Sequence, residues 1–99
     1  MIVYSNVTGD GTTSTLITKS GNVGGNINNV LVTNNSDSND VTVRLYLDDG
    51  STEHSIARKV LIPVGASVAF VDGVRFDPAV FNLKIHIAGT SASISVIIS

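Results

Sequence analysis

One residue in three of this chain is β-branched: valine and isoleucine total 24 and threonine nine of 99. Such side chains are stiff at χ1 and pack well on a pleated, half-buried surface. Helix formers are scarce, with six leucines, six alanines, one glutamate and no glutamine. No window repeats apolar residues at i, i+3, i+4 and i+7 over three turns. A chain of this kind is restricted to strands, and the remaining question is how the strands are patterned.

Period-two alternation answers it. Val41, Val43, Leu45 and Leu47 share one face, while Thr42, Arg44, Tyr46 and Asp48 share the other. Ala66, Val68 and Phe70, then Leu83, Ile85 and Ile87, then Ile94, Val96 and Ile98 alternate in the same way. The pattern is that of half-buried strands with one face on a core. Turn residues separate the runs: Asn34 through Asp40, Asp49-Gly50, Pro63-Val64-Gly65, Asp72-Gly73, Asp77-Pro78 and Gly89-Thr90-Ser91. Asp49-Gly50 is the pair preferred in a two-residue type I′ hairpin. The prediction is eight strands, at about 2–5, 13–19, 27–33, 41–48, 52–62, 66–71, 81–88 and 92–98. The alternation of 52–62 slips near Arg58, which calls for a bulge or a change of sheet. Regularly spaced short strands imply an all-β fold, an antiparallel β-sandwich of jelly-roll or Ig-like order. Shared parity predicts a core of Val30, Val32, Val43, Leu45, Leu47, Val68, Phe70, Leu83, Ile85, Ile87, Ile94 and Val96.

A length of 99 residues fits one domain. The Gly-, Thr- and Asn-rich stretch from Gly9 to Gly25 marks residues 1–25 as a partly flexible N-terminal arm on it. Charged residues are 14%, well under the usual ~25%. A net charge of −2 with six Lys and Arg excludes a general neutraliser of nucleic acid. Without cysteine there is no disulfide and no thiolate metal site. The opening Met1-Ile2-Val3-Tyr4-Ser5-Asn6 lacks a basic n-region and a long apolar run, so no signal peptide is expected. No segment has the ~18 consecutive apolar residues of a spanning helix, and no membrane partner is expected.

Chemical motifs are sparse. His54 and His86 fall on different strands and read as outward residues; no Gly-x-Ser-x-Gly elbow is present. The loop from Asn35 to Asp40 has oxygen side chains but lacks the sixth-position Gly and twelfth-position Glu of a calcium loop. Gly9-Asp10-Gly11 and Gly21-Asn22-Val23-Gly24-Gly25 lack the Gly-Lys-Ser/Thr ending of a phosphate loop. No cofactor, metal or catalytic residue is expected. High apolar content with low charge favours assembly instead, since exposed apolar patches on small domains are partner surfaces. The candidate partner contacts are Ile2, Val3 and Tyr4 on the terminal strand, Tyr46, and Val71 and Ile97, which point opposite to their strands' core sets.

The run from Asn28 to Ile98 resembles a group of short all-β virion proteins of tailed bacteriophages, notably those of marine and cyanobacterial hosts. The resemblance rests on Asn28-Asn29-Val30-Leu31-Val32-Thr33-Asn34-Asn35-Ser36, on Val41 through Gly50, on Ile62-Pro63-Val64-Gly65, on Asp77, and on Phe81 through Ile85 with Ala88 through Ile98. It implies a non-enzymatic virion component assembled in the host cytoplasm. The leading expectation is a capsid decoration or cement protein that oligomerises and binds the major capsid protein or other virion proteins. A neck, tail or fibre-associated module is the second expectation, and a carbohydrate-binding sandwich for host attachment the third.

Overall fold

A computed structural model of the chain describes residues 3–18, 26–75 and 80–98. Eight strands run as β1 Val3–Thr8, β2 Thr13–Ile17, β3 Asn26–Asn34, β4 Val41–Asp48, β5 Glu53–Ile62, β6 Ser67–Arg75, β7 Asn82–Ala88 and β8 Ser93–Ile98. They form two four-stranded antiparallel sheets, ordered β1-β8-β3-β6 and β2-β7-β4-β5. Four of the pairs, β1 with β8, β2 with β7, β3 with β6 and β4 with β5, are those of one long hairpin folded over on itself. That is the jelly-roll order of an eight-stranded double sheet, which decides between the two sandwich orders expected. Among the described residues no helix is long and apolar enough to cross a membrane.

β4 occupies 41–48 as predicted, and the other elements differ from the reading by a few residues at either end. The largest differences have physical causes. β6 runs on through Asp72-Gly73 to Arg75, and the register shift between Ile27 and Asn29 absorbs the irregularity that had read as a break. β1 extends to Thr8 and buries Val7. Within residues 3–17 lie two strands of the sandwich, β1 in one sheet and β2 in the other. The glycine run at 21–25 and Asp77-Pro78 lie outside the described residues.

The inward faces of the sheets meet in one core. Nine of the twelve expected core residues are buried, and Leu47, Val68 and Phe70 are partly buried against them. Val7, Leu16, Ile17, Val41, Ile62, Ala92 and Ile98 complete it. Bulges explain the irregular members. The register of β2 on β7 shifts between Thr15 and Ile17, so consecutive Leu16 and Ile17 are both buried. On β5 the register slips twice against β4, between Val43 and Leu45 and between Leu45 and Tyr46. Ile56 and Ala57 thus both pack on the core, while Arg58 and Lys59 are both exposed. The slip near Arg58 is a bulge, as expected.

The turn between β4 and β5 differs in detail from the type I′ hairpin expected. The Asp49 amide donates to the Thr52 carbonyl, and Gly50 has φ 103°. Among the described residues Ser91 is the one non-glycine with positive φ. The loop therefore spans Asp49 to Thr52 beyond the Asp48–Glu53 pair, with positive φ at Gly50 alone, where type I′ would need it at both central residues. Asp49 contributes its side chain, whose Oδ1 accepts from the amides of Ser51 and Thr52.

Two polar contacts fasten the loops. Asn34 is 2% exposed. Its Nδ2 donates to the carbonyls of Asn39 and Ile62, both at 3.0 Å, and its Oδ1 accepts from the Ser36 amide. Asn34→Ala leaves three backbone groups unpaired and is expected to cost about 1–3 kcal/mol in urea unfolding. Gly89 has φ 145°, and a Cβ there would lie 2.7 Å from the Asp40 carbonyl oxygen. Its amide donates to Asp10 Oδ1, joining the two loops at this end of the sandwich. Gly89→Ala combines backbone strain with a backbone clash, and a loss of roughly 2–3 kcal/mol in the same assay is expected.

Candidate functional site

The outer faces of the two sheets differ sharply in charge. β1, β3 and β8 contain no Asp, Glu, Lys or Arg, and in β6 the sequence has none before Asp72 and Arg75. β4, β5 and β7 carry Arg44, Asp48, Glu53, Arg58, Lys59 and Lys84.

On the uncharged face, register builds an apolar row. Tyr4 lies opposite Ile97, Ile97 opposite Leu31, and Leu31 opposite Ala69, so the row crosses all four strands. Tyr4 is 72% exposed and Ile97 38%. Beside it runs a polar row, Asn6, Ser95, Thr33 and Ser67. Its members satisfy one another: Ser95 Oγ donates to Asn6 Oδ1 at 2.8 Å, Asn35 Nδ2 donates to Ser95 Oγ at 2.6 Å, and Thr33 Oγ1 bonds Ser67 Oγ at 2.8 Å. Polar groups already paired lose little when water is removed from them. A shallow groove of about 270 Å³ runs along this face between Tyr4-Ser5-Asn6 and Ser95-Val96-Ile97.

The expected contact residues divide accordingly. Tyr4 and Ile97 come together as cross-strand neighbours. Val71 lies opposite Asn29 on β3, and Val3 pairs with Ile98. Ile2 lies outside the described residues. Tyr46 is on the other sheet, and although it faces outward it is 5% exposed. The Arg44 guanidinium covers its ring at 4.2 Å from the centroid, a cation–π contact. Tyr46 is thus removed from any docking surface. Alternation identified its face, but nothing in the sequence announced the arginine lid. Leu31 and Ala69 were missed because their role depends on which strands become neighbours.

The charged face is a polar network. Thr13 Oγ1 bonds His86 Nδ1 at 2.8 Å, Arg44 pairs with Glu53 at 2.9 Å, and Lys84 with Asp48 at 2.8 Å. His54 stands edge-on to Phe81, with ring centroids 5.6 Å apart. An open groove of about 430 Å³ lies between β4, β5 and β7, lined by Arg44, Arg58, Lys59, His86, Thr42 and Ser55 among others.

The Lys84 ammonium, and then the Gly50 amide, hold the Asp48 carboxyl below its ordinary 3.8. The amides of Thr52 and Ser51 do the same for Asp49. Asp48 in turn raises Lys84 above its ordinary 10.5. Groups with lowered folded pKa stabilise fully above their unfolded value and lose that contribution as pH falls through the folded one. The β4–β5 turn should therefore hold from neutral pH down to about the ordinary carboxylate range and loosen below 3.8. The Lys84 contribution is present below 10.5 and is lost as pH rises through its raised value. Carboxyl-carbon NMR titration should place both aspartate midpoints below 3.8; ordinary midpoints would contradict these hydrogen bonds.

No known protein-family model matches this sequence, and no curated protein does. Among solved structures the chain is similar to an Anabaena sensory rhodopsin transducer, at 14% identity and a TM-score of 0.41, over 92% of this chain and 90% of that one. A likeness of that size carries no argument about function.

Proposed function

We propose that the chain is a non-enzymatic structural protein of a tailed-phage virion, a capsid decoration or cement protein that self-associates and docks on major capsid subunits through the outer face of the β1-β8-β3-β6 sheet. The observation that carries the reading is the charge asymmetry. Depletion of charge, with an aromatic and aliphatic centre, is the compositional mark of an interface core. The Tyr4–Ile97–Leu31–Ala69 row, beside a self-satisfied polar row, has that character. Double-sheet jelly rolls occur in viral capsid and lectin domains, which supports the reading by analogy of fold. The terminal strand takes part as one stripe of that face, since β1 is paired along its length with β8.

The test is rebinding of purified protein to particles stripped of it, across a salt series. A mostly apolar contact is expected to keep its affinity within a few-fold at about 0.5 M salt, where the screening length is roughly 4 Å. Collapse of binding with salt would overturn the reading.

A further inference from the structure

We propose that the groove on the outer face of the second sheet binds an anionic saccharide, with the sulfate or carboxylate group held by Arg58 and Lys59. Successive residues of a regular strand point to opposite faces, so two adjacent cations would ordinarily be split between core and solvent. The bulge between Val43 and Leu45 sets both Arg58 and Lys59 opposite Arg44 and turns both into one groove. Bulges of this kind re-aim side chains beside functional sites. Among the described residues the ion pairs are Arg44–Glu53 and Lys84–Asp48, which leaves Arg58 and Lys59 with no carboxylate. Two unneutralised cations converge there on a chain whose net charge is −2.

The size and lining point to a sugar as the carrier of the charge. About 430 Å³ exceeds what a bare oxyanion fills and is within the range of small-molecule sites. Thr42, Ser55 and His86 supply hydroxyl and imidazole groups to the groove, and Val43 and Ala88 supply apolar wall. His86 has Nδ1 engaged by Thr13, which fixes the ring and leaves Nε2 for a ligand. A nucleic acid needs a track of cations along its backbone. The other cations described on this face, Arg44 and Lys84, are already held by Glu53 at 2.9 Å and Asp48 at 2.8 Å, so the groove is one site and not a track. An acidic peptide added as a strand is disfavoured by the same bulges, which break the β5 edge.

Lysine and bulges also protect edge strands from pairing, and the experiment separates that role from binding. Full-length protein labelled with nitrogen-15 is titrated with sulfated N-acetylglucosamine, unsulfated N-acetylglucosamine and inorganic sulfate. The wild type is compared with the double variant Arg58→Ser, Lys59→Ser. Saturable amide shifts at Arg44, Arg58, Lys59 and His86 with the sulfated sugar are expected. Binding should be weakened at least about tenfold by the double variant, and by raised salt, as for charge-assisted contacts. Inorganic sulfate should bind at the same residues but more weakly. Equal affinity for sulfate alone would overturn the saccharide part, and equal affinity for the unsulfated sugar would overturn the anion part. Tighter binding of a single-stranded oligonucleotide would replace the proposal with a nucleic-acid surface. A wild type that binds none of the ligands would end the proposal, and a double variant that then assembles beyond the wild-type state would assign the two cations to edge protection.

Discussion

Leu45→Ala is expected to cost about 2–5 kcal/mol of unfolding free energy, the range for deleting a fully buried leucine side chain. Leu45 has no exposed surface and sits at the centre of β4, the strand between β5 and β7. It pairs with Ile85 on one side and with Ala57, between the two bulges, on the other. Hydrogen-bonded neighbours hold β4 on both sides, so the sheets cannot close on the cavity, and the upper half of the range is expected. Urea denaturation with unchanged m-value is the measurement. A change below ~0.5 kcal/mol, the scale of surface substitutions, would mean that Leu45 lies outside and the register is displaced by one.

Ile97→Glu is expected to act in the opposite sense, sparing the fold and abolishing assembly. Ile97 lies on the outer face, 38% exposed, with Ile98 and Val96 carrying the inward contacts of β8. Loss of fold stability should stay at about 1 kcal/mol or less, the span of strand propensity at such a site. β1, β3 and β8 carry no cation that could pair with the new carboxylate inside a closed contact. An unpaired buried charge costs ~3–5 kcal/mol, so binding to stripped particles should fall by at least about a hundredfold. Sedimentation of the free protein and rebinding of the same sample read both effects. Retained binding by a folded Ile97→Glu variant would exclude this face as the docking surface.

How far the sequence could be read depended on range. The alternation of Val41 through Asp48 is local, and β4 has those limits. The slip at Arg58 is local, and it is a bulge. Sheet membership is not local: β1 pairs with β8 across nearly the whole chain, and no short pattern encodes that partner. Jelly-roll order was therefore out of reach, although a two-sheet sandwich was not. The candidate surface follows the same rule. Ile97 showed itself by breaking parity with Val96 and Ile98. The absence of charge from β1, β3 and β8 was written in three separate segments and became a face only when the topology set those strands side by side. Tyr46 failed for a related reason: its exposure is decided by where the Arg44 guanidinium comes to rest.

The most direct test of the central claim is a cryo-EM map of the native virion into which this fold is placed. The account predicts many symmetry-related copies on the outer surface of the head, with Tyr4, Leu31, Ala69 and Ile97 against a capsid or sister subunit and the groove beside Arg58 and Lys59 open to solvent. A particle in which the uncharged face of the β1-β8-β3-β6 sheet looks into water, or which contains no copy of the chain, would contradict it.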